Sequence, residues 1–459
     1  MLRATFVLLI LVPGLAAAIF SRFAALLLYV WFAMFRPQEW MWVDISGYRP
    51  SLVVGVMLVV PCLATGVFPA VSHPLGLGSL LFLGVNVLPV LDAVRPDVAW
   101  EWLGYLARLV VVSLLVAPLA ATPTRLLTLV SVLAGSLLFH SAKAGLASIL
   151  SGGTTYYAGL AGAFSDNNGY AVGTAMAMFL LIAVAQNIRW RFARWGLFAA
   201  AGPLSAMTVV SLFSRSGILA MTTGLAVFVA LQRSWRALLL TAVLVSAAVA
   251  YLPIPTGYAN RLAFIIDYDT TTTADESAAG RLHFWGVAVD MAKARPLGVG
   301  LRNFEHTYDF FDSSNGRYGR GRAVHSTLLQ VLTESGVAGF ALYGFLLAAT
   351  LRTLFRIRAR GRNVALSPDL RRLCFTLANG MLASMAAFLI GGAFISMALN
   401  DLTWLTIGAA IATDRLSRAQ EQLVSEASTP PDGEGLRAPA HNAPTLLETH
   451  VQPWPKSST

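Results

Sequence analysis

The sequence predicts an all-α, polytopic integral membrane protein, and three observations carry that prediction. Of 459 residues, 56% are hydrophobic and only 12% charged, where a soluble chain carries about a quarter charged residues. Apolar runs long enough to cross roughly 30 Å of hydrocarbon, about 20 residues each, recur along the chain. Segments of about ten alternating residues, the mark of a transmembrane β-barrel, are missing from the sequence.

Taken in order, candidate spans fall near residues 4–20, 22–35, 51–69, 76–93, 100–118, 125–145, 168–187, 196–213, 216–232, 236–252, 324–350, 373–394 and 396–413. That gives about 11–13 transmembrane helices. The first run follows Arg3 but is succeeded at once by a second apolar segment, so it reads as a span rather than a cleaved leader. Residues 36–50 form a polar, tryptophan-bearing loop suited to the membrane interface. No repeat at a fixed period appears, which argues against a transporter built from two similar halves.

Residues 1–415 read as one membrane domain, with 253–323 as a large loop containing helical segments. From about Ser417 the composition turns to Glu, Pro, Ser, Thr and Gly. Residues 416–459 therefore read as a disordered cytoplasmic tail that buries too little apolar surface to order itself.

The formal charge of +10 does not point to nucleic acid, because much of it lies in short loops between spans. Arg189 to Arg194, Arg233 to Arg236 and Arg352 to Arg372 fall on one side by span count, and basic loops favour the cytoplasm. The 253–323 loop and Gly152–Asn167 then face the other way. Extended backwards, this alternation puts the N-terminus outside, and one early segment is open to reading as a half-span. Some of the charge also suits anionic lipid. Cys62 and Cys374 both sit in apolar runs and indicate neither a disulfide framework nor a metal cluster.

The polar chemistry concentrates between Ser214 and Gly336. Arg215 stands in Ser214-Arg215-Ser216-Gly217, at a turn between apolar runs and with no acid nearby in sequence. It either snorkels to headgroups or ligates an anion, and phosphate suits an arginine lacking a carboxylate. Arg281 opens an amphipathic segment behind Asp275-Glu276-Ser277, which can cap that helix; Arg281 either pairs with those acids or faces a ligand. Pro296-Leu297-Gly298-Val299-Gly300 ends the segment in a sharp reversal, and its Gly-x-Gly is no phosphate loop by itself. His325, followed by Ser326 and Thr327, opens the span 324–350 from the outer side and can accept a proton near neutral pH. His283 and His306 compete with it. Asp166, Asn167 and Asn168 either cap the seventh span or reach the same cavity. No zinc-ligand spacing is present.

These pieces resemble the bacterial O-antigen ligase and polymerase superfamily. Ser214-Arg215-Ser216-Gly217, Gly280-Arg281 with Trp285, Pro296 through Gly300, and His325-Ser326 leading to Glu334-x-Gly336 match its pattern in order and spacing. The Arg36-Pro37-Gln38-Glu39-Trp40 loop further resembles the O-glycosylation ligases associated with exosortase systems. The resemblance implies a GT-C-like, inverting, metal-independent glycosyltransferase in the bacterial inner membrane, without a cofactor. Its donor would be an undecaprenyl-diphosphate-linked glycan, and its acceptor a lipid, protein or polysaccharide hydroxyl at the periplasmic face. It also implies Arg215 and Arg281 as diphosphate ligands and His325 as the base, with Arg302 and Ser326 expected to contact substrate. Where the family usually has His-Asn, this chain has His325-Ser326.

A polymerase of the same superfamily differs only in its acceptor. A transporter or flippase for lipid-linked glycan would place charges at mid-span, where the sequence shows little beyond Glu101, Arg108 and Lys143 near span ends.

Overall fold

The computed structural model describes residues 2–41, 50–152, 160, 164–232, 272–363 and 365–428. The expected span at 236–252, Arg233 and Arg236, and residues 429–459 of the expected tail lie outside the described residues.

Helices α1 (Leu2–Phe20) and α2 (Arg22–Phe35) run as a hairpin, followed by the short α3 (Pro37–Trp40). Next come α4 (Pro50–Ala64), α5 (Pro74–Val85), the short α6 (Val87–Val90), α7 (Pro96–Leu119), α8 (Pro123–Leu150) and α9 (Asn167–Ala185). A broken segment follows, α10 (Arg191–Ala199) joined through a π-helical turn at Ala200–Leu204 to α11 (Ser205–Ser211), and then α12 (Arg215–Gln232). The long loop between spans contributes α13 (Thr272–Ala294) and α14 (Phe304–Phe311). The chain closes with α15 (Thr327–Arg360), α16 (Pro368–Gly391) and α17 (Asp401–Ser428). Among the described residues no strand occurs, and seven helices are long and apolar enough to cross a membrane. The protein is an all-α, multi-pass membrane protein.

Helix α9 is the centre of the bundle, buried on nearly every side from Gly169 to Ala185. Small residues let its neighbours approach: a side chain at Gly224 would strike Phe179, one at Gly380 would strike Ala183 and Phe179, and one at Gly391 would strike Val172. Between helices in lipid, such close backbone contact supplies much of the packing. Helix α17 seats against α7 in the same way, with Gly408 on Ser113 and the Ser113 hydroxyl donating to the Trp404 carbonyl at 2.5 Å.

The two ends of the bundle differ chemically. At one end Arg189 meets Asp369, and the buried Asp414 accepts from Arg360 (2.6 Å) and Arg418 (2.7 Å) beside His73 (3.3 Å). At the other lie the 295–325 segment, Asp166 and the turn carrying Ser214. Arg189 and the 352–372 basic cluster thus share one end, opposite the 295–325 segment.

Several boundaries differ from expectation, each for a local reason. Helix α4 ends at Ala64, where the Thr65 hydroxyl bonds back to Pro61 and Cys62 carbonyls. Asn86 breaks the 76–93 run. Arg191 to Arg194 are helical rather than loop. Helix α13 begins at Thr272, so Asp275 to Ser277 lie within it rather than ahead of it. Helix α17 continues to Ser428, past the composition change, because Arg360 bonds Ser417 and Glu421 and ties its last turns to the end of α15. Helix α15 starts at Thr327, which leaves His325 outside the helix it was expected to open. Buried acids also occur where the span pattern predicts none: Glu334 inside the 324–350 span, Asp401 inside the 396–413 run and Asp414 just past its end.

Candidate active site

The Ser-Arg-Ser-Gly turn that carries Arg215 is held by hydrogen bonds within it and to the start of α9. The Ser214 hydroxyl accepts from the Gly217 amide (3.0 Å), capping α12, and donates to Asn168 Oδ1 (2.7 Å). Ser216 reaches the same Asn168 oxygen at 3.4 Å, and Asn167 Nδ2 donates to the Leu212 carbonyl at 2.9 Å. Gly217 lies so close to Ala171 that a side chain there would clash. The start of α9 therefore clips the turn in place, and Asp166 caps that start by accepting from the Gly169 amide at 2.8 Å. Asp166 thus caps the helix, while Asn167 and Asn168 hold the neighbouring turn. Phe213 takes φ 51°, a left-handed conformation that costs a bulky residue of order 1 kcal/mol and recurs at functional sites.

Arg281 enters from α13, whose apolar face (Phe284, Val287, Ala288, Met291) packs with Val299, Phe304, Tyr308 and Val324 in a small core of its own. The guanidinium is half-buried, and burial together with the neighbouring Arg215 charge holds it below its ordinary value. Among the described residues neither Arg215 nor Arg281 has an ion-pair partner. Two cations held together in this way create a strong preference for an anion between them.

His325 sits at φ 49°, immediately before the Ser326 cap of α15, with its ring 6.2 Å from that of Phe284. Burial is the main reason its basicity falls below the ordinary histidine value. Arg281 and Arg322 push the same way, opposed by Asp166 and Glu305. The imidazole is thus neutral at pH 7 and free to accept a proton. The Arg215 charge acts on Arg281, and the Arg281 charge acts on His325.

The other candidates separate. Arg302 lies over the Trp102 ring at 4.8 Å and lines a cleft with Glu305, Val324 and Glu334. Ser326 is buried at the helix start. His283 is spent on structure: it meets Asp312 at 2.7 Å and stacks on Tyr318. Burial alone would raise the Asp312 carboxyl, but the Ser314 hydroxyl and amide, the Gly316 amide and His283 hold it well below the usual range. His306 is exposed. Arg322 makes a cation–π contact with Phe284, at 5.8 Å, which places it by His325.

The Gly-x-Gly is a backbone dock rather than a ligand loop. Helix α15 breaks at Gly336 (φ 70°, ψ −176°), which frees groups that the 296–300 segment satisfies. The Val299 amide donates to the Thr333 carbonyl (2.9 Å), Gly300 to Glu334 (3.0 Å), and Val337 to the Pro296 carbonyl (2.9 Å). Asn303 closes the other side, donating to the Arg95 carbonyl at 3.1 Å and accepting from its amide at 2.7 Å.

A comparison with curated proteins gave no match. Residues 200–344 match the family model described as O-antigen ligase. The matched region, about a third of the chain, spans the Arg215 turn, Arg281, the docking loop and His325, and it supports the resemblance to the O-antigen ligase/polymerase superfamily.

Proposed function

We propose that the protein is a membrane glycosyltransferase that moves a glycan from undecaprenyl diphosphate to an acceptor hydroxyl at the periplasmic face of the inner membrane, with inversion and without a metal. The observation that carries this reading is the run of charge from Arg215 through Arg281 to a neutral His325. The two guanidiniums hold the donor diphosphate, and charge-assisted bonds to phosphate are the strongest such groups make. His325 takes the proton of the acceptor hydroxyl as its oxygen bonds to the anomeric carbon. The bond from that carbon to the phosphate oxygen breaks on the opposite side, and the electron pair leaves with undecaprenyl diphosphate. Negative charge grows on that oxygen in the transition state, where fixed cations are most effective. A bound diphosphate also offsets the Arg281 charge that depresses His325, so donor binding strengthens the base.

The test is transfer by purified protein from an undecaprenyl-diphosphate-linked glycan in the presence of a chelator. Transfer by the native protein, and none by Arg215→Ala, Arg281→Ala and His325→Ala variants that still fold, supports the reading. Full activity in all three rejects it. Deletion separates ligase from polymerase: long unattached lipid-linked chains accumulate if a ligase is lost, and single repeat units if a polymerase is lost.

A further inference from the structure

The 36–40 loop takes no part in the chemistry around His325, yet it is firmly built. Arg36 adopts φ 52°, its amide donates to the Phe32 carbonyl (3.3 Å) and its guanidinium pairs with Glu39 (3.1 Å). The Trp40 and Met41 amides return to the Arg36 and Pro37 carbonyls at 3.2 and 3.0 Å. These bonds present the Trp40 ring to Phe6, Phe35, Phe139 and His140, with ring centroids 5.3–6.0 Å away. His140 is fixed in turn by donating from Nε2 to the Phe35 carbonyl at 3.0 Å.

Two cations converge on that ring. The Arg3 guanidinium, from α1, and the Lys143 ammonium, from α8, each lie 5.5 Å from the Trp40 centroid. Both side chains are exposed, and Lys143 has no ion-pair partner among the described residues. Glu39, the acid of the loop, is engaged by Arg36. Like charges gathered on one ring repel, and an anion bound between them relieves that repulsion. One turn further towards the middle of each helix, Phe6 and Phe139 stack at 5.5 Å and remain 37% and 39% exposed. The charges therefore lie towards the ends of the two spans with an open apolar surface inside them, which is the polarity of an amphiphile.

Helix α8 separates these cations from the Arg215 turn. At about 100° of helix rotation per residue, Ser141, Gly145 and Ser148 share one face. That face packs on α9 and the 200–211 segment: Ser141 bonds Thr174 at 2.9 Å, a side chain at Gly145 would strike the Leu204 carbonyl, and Ser148 bonds Ser211 at 2.6 Å. Phe139 and Lys143 project from the opposite face. An anion on Arg3 and Lys143 is thus at the Arg215 end of the bundle, but it is a different anion from one held by Arg215.

We propose that Arg3, Lys143 and Trp40 seat the phosphate of an anionic bilayer phospholipid, with an acyl chain against Phe6 and Phe139. A free anion would gain only the two cations, whereas a phospholipid also covers the exposed rings. Tryptophan and basic side chains together favour the headgroup layer. The assignment rests on the fold and is independent of the glycosyltransferase reading.

The experiment uses the full-length protein in a neutral detergent, tagged at the C-terminal end, with bound lipid counted by native mass spectrometry as phosphatidylglycerol or phosphatidylcholine is added. All measurements are made in an Arg215→Ala background, so that phosphate held there is not counted. Phosphatidylglycerol should be retained in preference to phosphatidylcholine. Arg3→Gln and Lys143→Gln should each weaken its binding about fivefold, the scale of one basic residue at an anionic surface. Lys143→Arg, which keeps the charge, should bind as before. Both cations are exposed, and either variant alone carries the test should the other fail to fold. Equal phosphatidylglycerol binding with and without the two cations overturns the proposal, as does equal retention of phosphatidylcholine. Displacement of the lipid by inorganic phosphate would indicate a free-anion site, and tighter, variant-sensitive binding of undecaprenyl phosphate would indicate a polyprenyl carrier; each overturns the phospholipid assignment.

Discussion

Gly298 and Gly336 meet backbone to backbone: a Cβ on Gly298 would lie 2.7 Å from the Gly336 amide nitrogen, and one on Gly336 would lie 2.4 Å from the Leu297 carbonyl carbon. Both residues also take positive φ, 97° and 70°. The contact joins the 295–300 segment to the broken span, and so fixes how α13, bearing Arg281, stands relative to His325.

Gly298→Ala and Gly336→Ala should therefore each destabilise the protein by a few kcal/mol, since left-handed strain and a backbone clash add. Gly280→Ala serves as the contrast. Its Cβ would meet Phe284 and Tyr318 at 3.5 Å, ordinary contact. Thermal unfolding in detergent should show a lowered midpoint for the first two and little change for Gly280→Ala.

Arg281→Lys should lose most transfer activity while keeping its charge. An ammonium cannot reproduce the planar fork that grips two phosphate oxygens. Loss of one donor aimed at developing charge costs about 10²–10³-fold in rate. Single-turnover transfer with saturating donor checks this.

Asp312 organises the Ser314–Gly316 turn by accepting from Ser314 (2.9 and 2.7 Å), Gly316 (2.7 Å) and His283 (2.7 Å). Asp312→Ala should expose the 312–322 segment, with its three arginines, to trypsin well before the rest of the chain. The carboxyl is held below its ordinary value, so its stabilisation is present above the usual carboxylate range and is lost as pH falls through the depressed value. Native protein should thus keep this segment protected at pH 5.

Much of the fold was legible because span length and hydrophobicity are local. The apolar runs from 4–20 to 396–413 reappear as helices wherever the chain is described. The helix breaks were less so. Gly336 has helical neighbours on both sides in sequence, and only the docking of Pro296 to Gly300 explains why α15 opens there. Arg215, Arg281 and His325 could be singled out by residue type and position, but not Arg322. Its place by His325 comes from its contact with the Phe284 ring, and no spacing along the chain encodes that. The buried acids Asp401 and Asp414 were missed for a related reason: each is tolerated because partners from distant segments reach it, Tyr105 at 2.5 Å for the first and Arg360 at 2.6 Å for the second.

The last prediction concerns pH. His325 must be neutral to accept a proton, so the acid limb of kcat/KM should lie below the ordinary histidine value of about 6.5. The groups that set it are burial first, then Arg281 and Arg322 lowering it, with Asp166 and Glu305 raising it. Arg322→Gln removes a repelling cation, which lets the imidazolium persist to higher pH and moves the limb upward. Asp166→Asn removes an attracting anion and moves the limb downward. Opposite shifts in the two variants identify His325 as the titrating base; shifts of the same sign, or none, would assign the limb to another group.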